Sequence, residues 1–257
     1  MTCFEGLLAF SILLAASAPI EAAAAPIAVA SPERVFVDVA RQIGGPAVAA
    51  EFVKPTERPA ARPQLLIYEG DAADRWVTAR DRLHAGAVVE AHAVAAGAGP
   101  SWYDLSAMGA VGAAVAAEIS RAAPSEASGV VTRRDAFLRE LAELKLKSQH
   151  IVDGYGGATV LLTDARFEPF CRSLGLKVVT IPPQGEAAKS AIASRKGIVL
   201  VYNAEAGEDA EPLKALADES GLPLVGLRVT LPSGLSYQQW YGREINLVQG
   251  ALNEAAP

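Results

Sequence analysis

Short apolar segments alternate with longer amphipathic segments along most of this chain, and this alternation constrains its fold most strongly. The short segments are rich in Val, Ile and Leu, which predicts buried strands, while the longer ones have helical spacing. Regular alternation of strands and helices favours parallel sheets covered by helices, and therefore an α/β fold. The predicted strands are 48–53, 64–68, 87–91, 158–163, 177–181, 197–202 and 223–229. The predicted helices are 74–83, 106–122, one from Thr132 to just before Gly154, 167–174, 186–194, 209–220 and 237–254.

The helix that starts near Thr132 divides the alternation into two halves. Thr132 and Asp135 have the spacing of a capping pair at its start, and Phe137, Leu141 and Leu144 form an apolar stripe along it. We therefore predict two Rossmann-like lobes with parallel sheets and a cleft between the carboxyl ends of their strands. The predicted boundaries are 26–128 for the N-terminal α/β lobe, 129–153 for the linking helix and 154–257 for the C-terminal α/β lobe.

Two stretches near the N terminus have mixed patterns. Residues 34–45 begin with a β-like run and continue amphipathically to the pair Gly44-Gly45. Residues 54–63 are rich in proline and charge, which predicts a loop.

The first residues predict an export signal. Residues 6–18 form an apolar run that is too short to span a bilayer, and Pro19 and the small residues 22–25 follow it. This order predicts a signal peptide over residues 1–25 and a protein located in the periplasm. The segment before the run has no basic residue and contains Glu5, so a buried Ala-rich helix is the alternative.

Charge, cysteine content and motifs argue against several classes of protein. The chain has 23 Lys and Arg against 29 Asp and Glu, and it lacks a long basic block, which argues against nucleic-acid binding. Because Cys3 lies in the predicted signal, Cys171 has no partner for a disulfide or a Cys-x-x-Cys motif, and we predict a buried apolar residue. The sequence has no Gly-x-Ser-x-Gly elbow, Cys–His signature or phosphate loop, so we predict that the protein is not an enzyme.

Four short motifs follow one another along the chain. They are Gly-Pro-Ser-Trp-Tyr-Asp-Leu at 99–105, Leu-Leu-Thr-Asp-Ala-Arg-Phe at 161–167, Val-Leu-Val-Tyr-Asn-Ala-Glu at 199–205 and Ser-Tyr-Gln-Gln-Trp at 236–240. Together, behind an export signal and within two α/β halves, they resemble the periplasmic solute-binding proteins of zinc- and manganese-type metal ABC transporters. The resemblance covers about residues 34–253.

This resemblance implies a monomer in which one long rigid helix links the two lobes. It also implies that a divalent metal ion, zinc or manganese, binds between the lobes as the transported ligand. The protein would deliver this ion to the membrane permease of an ABC transporter. We expect Trp102, Tyr103 and Trp240 to anchor the packing rather than to contact a ligand, since buried aromatic side chains usually serve burial.

The chain departs from the family at the expected metal ligands. The first ligand is a His in the N-terminal lobe, and the proline-rich loop 54–63 stands in its place. The second His is replaced by Pro100-Ser101. Asp164 matches the third position and Glu205 lies near the fourth, so the predicted metal ligands are Asp164 and Glu205.

Each ligand assignment has an alternative. Asp164 also suits the N-cap of the helix that follows it, because Asp favours that position. Asn203 lies at the same strand end as Glu205. His92 follows a predicted strand and is a candidate replacement ligand, although the family has none there, or else an ordinary histidine.

Oxygen ligands alone imply a weak site. Zinc prefers imidazole and thiolate ligands, whereas one or two carboxylates hold Mg²⁺ or Mn²⁺ weakly and select poorly among metals. The sequence therefore predicts a solute-binding protein of a metal ABC transporter with an eroded metal site. The alternative is an exported homologue that no longer binds metal and acts as an interaction or accessory binding protein.

Overall fold

The computed structural model describes residues 25–54, 57, 59, 62–70, 84–95 and 99–256. The predicted signal peptide (apart from Ala25), the predicted helix 74–83 and part of the proline-rich loop lie outside the described residues.

Strands and helices alternate through the described residues. The strands are β1 (Ile27–Ser31), β2 (Val48–Phe52), β3 (Leu65–Tyr68), β4 (Ala87–Glu90), β5 (Thr159–Leu162), β6 (Lys177–Thr180), β7 (Val199–Asn203) and β8 (Leu224–Leu227). The α-helices are α1 (Arg34–Gly44), α2 (Ala91–Val94), α3 (Leu105–Ala122), α4 (Ala127–Tyr155), α5 (Glu168–Ser173), α6 (Glu186–Ala193), α7 (Glu211–Glu219) and α8 (Tyr237–Ala255). Short 3-10 helices are Gly45–Ala47, Ser101–Tyr103, Pro124–Glu126, Ala165–Phe167 and Ala204–Ala210. No helix among the described residues combines the length and the apolar character that a membrane span requires.

The strands form two four-stranded sheets in which every pairing is parallel. The first sheet has the order β2-β1-β3-β4 and the second the equivalent order β6-β5-β7-β8. In each sheet the strand order reverses direction next to the first strand. This topological switch point lies between β1 and β3 in the first sheet and between β5 and β7 in the second. In the second sheet Leu162 pairs with Val201, so the residues that follow β5 and β7 emerge side by side. The predicted α/β class with two parallel lobes is confirmed.

The structure corrects the prediction near the N terminus. β1 is not predicted from the sequence, because its Ile-Ala-Val-Ala-Ser segment is short and adjoins an Ala-rich tract, yet β1 pairs with both β2 and β3. The β-like start predicted for residues 34–45 is wrong. Val35, Val39 and Ile43 are spaced four residues apart and are all buried, so this segment is helical from its first residue.

The linking helix α4 has 29 residues and extends beyond the predicted range 129–153 at both ends. The predicted capping pair at Thr132 is wrong, since Thr132 lies inside the helix and its hydroxyl donates to Ser128 O at 3.1 Å. The apolar stripe is confirmed by the burial of Phe137, Leu141 and Leu144. The lobe boundaries stay predictions.

Helix α4 is attached to elements of both halves. Arg133 donates from Nε to Ile43 O and from Nη2 to Gly44 O, each at 2.8 Å, and so satisfies carbonyl groups at the end of α1. On the other side, Lys147 donates to Gly242 O of α8 at 3.3 Å. A Cβ atom at Gly242 would lie 3.3 Å from Leu144 Cδ2, so the two helices approach each other closely there.

Aromatic side chains from both halves meet in what we call the interlobe aromatic cluster. Tyr103, from the N-terminal half, contacts the rings of Phe167, Phe170 and Trp240 at centroid distances of 5.6, 5.6 and 5.8 Å. Trp102, Tyr103 and Trp240 are all buried, which confirms their expected role as packing anchors. The cluster belongs to one continuous apolar core that includes residues of both sheets.

Hydrogen bonds join the lobes beside this cluster. The Tyr237 hydroxyl donates to Trp102 O at 2.7 Å, and the Tyr103 hydroxyl donates to Arg228 O at 2.6 Å. At the start of α8, the Tyr237 N–H donates to Asp38 Oδ2 at 2.7 Å. Opening the lobes would expose these groups and the core between them, so the structure favours a rigid cleft.

Replacing Tyr237 with Phe is expected to lower the free energy of unfolding by about 1–2 kcal/mol, because the buried Trp102 carbonyl loses its donor. Tyr155→Phe is a matched control, since the Tyr155 hydroxyl donates to Asn253 at an exposed position where water can replace the bond. Urea unfolding of both variants measures the difference. Equal losses in the two variants would contradict a special contribution from the bond between the lobes.

Candidate functional site

The polar groups with the best position for a ligand follow the strands at the two switch points. In the C-terminal sheet, Asp164 comes shortly after β5, while Asn203 ends β7 and Glu205 follows it. In the N-terminal sheet, Ser31 ends β1 and Glu69 comes directly after β3. Ligands of open parallel sheets bind outside the carboxyl ends of the strands at such points, so these residues define the candidate site.

Asp164 has both of its carboxylate oxygens in hydrogen bonds. It is the N-cap of the 3-10 helix Ala165–Phe167, where Oδ1 accepts the Arg166 N–H at 3.0 Å. The Arg166 guanidinium binds the same carboxylate in a bidentate manner, from Nε to Oδ1 at 3.0 Å and from Nη2 to Oδ2 at 2.6 Å. Asn203 Nδ2 donates to Oδ2 at 3.2 Å. The capping role that the sequence left as an alternative is therefore present.

This ion pair is fully charged near neutral pH. Partial burial raises the pKa of Asp164, but the hydrogen bonds from Arg166 and Asn203 outweigh that effect and hold this pKa below its usual value. The hydrogen bond to Asp164 raises the pKa of Arg166, and the negative charge of Glu205 contributes in the same direction. The guanidinium thus lies in the electrostatic field of both predicted metal ligands.

Glu205 holds the segment that follows β8. Its Oε2 accepts the N–H groups of Val229 at 3.1 Å and Thr230 at 3.3 Å, and its Oε1 accepts the Thr230 hydroxyl. The Glu205 N–H donates to Asn203 Oδ1 at 2.9 Å. Asn203 therefore bridges the two predicted ligands, since its amide also donates to Asp164. The structure brings Asp164 and Glu205 into one network in which each carboxylate already has partners.

Tyr103 lies next to this network. Burial raises the pKa of its hydroxyl, and the negative charges of Glu244, Glu205 and Asp164 add to the effect. The hydroxyl therefore stays protonated and donates to Arg228 O, as described above. Tyr103 thus supplies a fixed donor toward the C-terminal lobe beside the carboxylate network.

His92 belongs to a second group, which we call the N-lobe polar cluster, made of Glu69, His92 and Ser101. Glu69 is only 1% exposed and accepts both the N–H and, at 2.7 Å, the hydroxyl of Ser101. His92 Nε2 lies 3.1 Å from Glu69 Oε1 and 3.1 Å from Gly99 O. Both partners are acceptors, so Nε2 carries a hydrogen in this arrangement. Within the described residues, no hydrogen bond or ion pair connects His92 with Asp164 or Glu205.

The order of groups in the N-lobe polar cluster does not suit nucleophilic catalysis. In a catalytic triad the His stands between the nucleophile and the acid. Here Glu69 stands between Ser101 and His92, so the serine hydroxyl donates to a carboxylate instead of to an imidazole. The cluster fixes the loop at Pro100-Ser101, the place where the family resemblance expects a His ligand.

Among the described residues, no group of three or more His, Cys, Asp and Glu side chains lies close enough to hold a metal ion. A zinc site requires three or four protein ligands. In the described part of the chain, Asp164 and Glu205 therefore have no third His, Cys, Asp or Glu side chain beside them to complete such a site. A cavity of about 300 Å³ lies beside Asp164, and its wall includes Thr163, Asp164, Tyr202, Asn203 and Asp209.

Two further ionisable residues are buried outside this network. Burial raises the pKa of Cys171 to about 12, so its thiol is unreactive near neutral pH, in agreement with the predicted apolar role. Burial also raises the pKa of Glu244 to about 7, although the Arg228 N–H and the Trp240 Nε1–H donate to this carboxylate. Its other oxygen, Oε2, is buried and has no hydrogen-bond partner in the described structure.

Arg166 and Glu69 are members of the site that were not predicted from the sequence. The pattern Asp-x-Arg directly after a buried strand is the signal for the first, because the Asp caps a turn that brings the Arg side chain back to it. The signal for the second is a Glu directly after the apolar run 65–68.

No protein-family model matches the chain, and no curated protein matches it in sequence. Solved structures do match. The solute-binding protein FpvC from Pseudomonas aeruginosa, in complex with Mn²⁺, has a TM-score of 0.72 at 15% identity, with 90% of this chain and 100% of FpvC covered. The laminin-binding protein Lbp of Streptococcus pyogenes has a TM-score of 0.72 at 16% identity, with 89% and 100% covered. Zn(II)-bound AdcA from Streptococcus pneumoniae has a TM-score of 0.72 at 13% identity, with 91% of this chain but 59% of AdcA covered.

At these identities the likeness shows the fold. The chain has the two-lobe α/β fold of solute-binding proteins, with one long helix between the lobes, and it shares this fold with proteins solved with Mn²⁺ and with Zn²⁺. The fold that the family resemblance implied is therefore confirmed.

Glu244→Gln is expected to change how stability depends on pH. The folded-state pKa of about 7 lies above the ordinary value of 4.5, so stability from the neutral carboxyl is fully present below pH 4.5 and is lost as the pH rises through 7. Between these values the wild type should lose on the order of 1.4 kcal/mol per pH unit from this group. The Gln variant should lack this slope.

Urea unfolding at several pH values between 4.5 and 8 measures the effect. Glu254→Gln, at an exposed position on the same helix, is the control and should keep the wild-type slope. Parallel pH dependence of the wild type and Glu244→Gln would contradict the prediction.

Proposed function

We propose that the chain is the solute-binding component of a metal ABC transporter of the zinc and manganese type. In this proposal the protein works in the periplasm as a monomer, captures a divalent cation between its lobes and delivers it to a membrane permease. The observation that carries the proposal is the architecture. Two parallel sheets of equivalent strand order are connected through α4 and the interlobe aromatic cluster. Over 90% of the chain, this fold is similar to that of a solute-binding protein solved with Mn²⁺.

The rigid connection between the lobes supports delivery by a preformed surface. Burial of Tyr103 and the hydrogen bond from Tyr237 to Trp102 hold the lobes in one arrangement. A permease would then recognise a fixed pair of lobe surfaces, and the ion would enter and leave without a large hinge motion.

We assign the cation to Asp164 and Glu205. Both follow strands of the C-terminal sheet at its switch point, and both belong to the network that Asn203 bridges. Two carboxylates favour Mn²⁺ or another hard cation over Zn²⁺, which prefers imidazole. Because both carboxylates already accept hydrogen bonds, the ion must compete with Arg166 and with Thr230, and we expect weak binding.

One observation favours a second candidate function. The Asp164 carboxylate is already neutralised by the bidentate Arg166 guanidinium, so the site does not need a metal ion for charge balance. This arrangement suits an exported homologue that no longer binds metal and acts as an interaction or accessory binding protein.

Calorimetric titration of chelator-stripped protein with Mn²⁺ and Zn²⁺ separates the two candidates. Under the first proposal Mn²⁺ binds, and Asp164→Asn weakens its affinity by about tenfold or more, as loss of a metal-site contact typically does. Asp153→Asn, on an exposed part of α4, is the control and should leave affinity unchanged. Absence of binding by either ion would favour the second candidate, and tight zinc binding unchanged in Asp164→Asn would place the site elsewhere.

Export is tested by the mass of the mature protein. Signal peptides are cleaved after small residues, so protein from the periplasmic fraction should begin between Ala22 and Ile27. Cleavage in this range leaves β1, which begins at Ile27, intact for pairing with β2 and β3. Intact-mass spectrometry of the fractionated protein gives the answer. Full-length chain in the cytoplasm would contradict the proposed location.

A further inference from the structure

The positively charged side chain of Arg166 is already bound to the Asp164 carboxylate. The Arg166 Nη2 donates to Asp164 Oδ2 at 2.6 Å, and Nε donates to Oδ1 at 3.0 Å and to Oδ2 at 3.2 Å. Among the described residues, every hydrogen bond of this guanidinium goes to Asp164. A planar guanidinium that faces a carboxylate in this way neutralises its charge and covers the oxygens that a metal ion would use.

We infer that Arg166 is a tethered counter-cation that determines the cation affinity of the cleft. A divalent ion reaches Asp164 only when it displaces the guanidinium, so Arg166 and the transported ion compete for one carboxylate. This inference rests on the proposed function, because it takes Asp164 as the ligand of the transported cation.

The geometry allows the guanidinium to leave while the carboxylate stays in place. The Arg166 side chain is 53% exposed, whereas the Asp164 side chain is 17% exposed. Asp164 is also held by the Arg166 backbone N–H at 3.0 Å and by Asn203 Nδ2 at 3.2 Å, and neither bond depends on the guanidinium. Release of the side chain would therefore uncover a carboxylate that is already positioned.

The charges of the network support the same competition. Asp164 and Glu205 carry two negative charges, and the Arg166 charge reduces their sum to one. The guanidinium binds Asp164 alone through hydrogen bonds, so the Glu205 charge is not paired with it and one net negative charge remains in the network. A divalent ion is attracted twice as strongly as a monovalent ion to such a group, and it is repelled by a guanidinium that remains nearby.

Removal of the tethered charge is therefore expected to raise the affinity for divalent ions. Arg166→Met keeps much of the side-chain length without the charge, and it should bind Mn²⁺ about tenfold or more tightly than the wild type. Arg166→Lys keeps the charge and should stay close to the wild type. The double variant Arg166→Met/Asp164→Asn should bind no more tightly than the wild type, because the uncovered carboxylate is gone.

The experiment is calorimetric titration of the chelator-stripped protein and these variants with Mn²⁺ and with Zn²⁺. Arg172→Met is the matched control, since Arg172 forms an exposed ion pair with Glu168 on α5, outside the network, and its loss should leave affinity unchanged. Thermal unfolding of each variant shows whether the fold is kept. The capping bond to the Arg166 N–H does not need the side chain, so we expect all variants to fold.

The possible results distinguish this inference from the proposed function. Tighter binding by Arg166→Met, lost in the double variant, supports the tethered counter-cation, even if the wild type itself binds no ion and the metal-transport proposal fails. Equal affinity of the wild type and Arg166→Met overturns the inference and leaves the proposed cargo standing. Absence of binding by the wild type, Arg166→Met and Arg166→Lys overturns both.

Discussion

The insertion of Tyr103 between the lobes is the contact on which the rest of the structure depends. The 3-10 helix Ser101–Tyr103 places this ring against Phe167, Phe170 and Trp240 of the C-terminal half. Phe167 ends the same short turn that Asp164 caps, so the packing of Tyr103 also fixes the segment that presents the carboxylate. On the other side, Ser101 binds Glu69, which directly follows β3, a central strand of the first sheet. The carboxyl ends of both sheets are thereby positioned through one short segment.

A cleft fixed in this way limits how a ligand site can be completed. Packed cores do not deform continuously, so the buried contacts between the lobes oppose a hinge closure that would bring distant ligands together. The carboxylates at the switch points must therefore be stabilised by partners that are already beside them. Glu205 does so with the N–H groups of Val229 and Thr230, and Asp164 with Arg166 and Asn203. The same rigidity makes these local partners decisive for what the cleft can bind.

The sequence predicts the parts of this structure that depend on local composition. Apolar runs such as 159–162 and 199–203 become the strands where they are expected, and the stripe at Phe137, Leu141 and Leu144 packs as predicted. Prediction from the sequence fails where contacts with other segments, formed only in the fold, determine the local structure. β1 is short and Ala-rich, and pairing on both sides makes it a strand. Arg166 is an unremarkable basic residue in sequence, and only the turn capped by Asp164 brings its guanidinium back to that carboxylate.

The two predicted ligands and the Arg166 side chain differ in what their presence implies. Asp164 caps a turn, and Glu205 holds the segment after β8, so each carboxylate has a structural task with or without a metal ion. Their presence is therefore weak evidence for a metal site. The Arg166 side chain is different, because the cap uses its backbone N–H and the adjacent Phe167 supplies the buried contact. This half-exposed guanidinium contributes little to stability as a surface ion pair. Its charge acts on Asp164 and offsets the negative charge of that carboxylate.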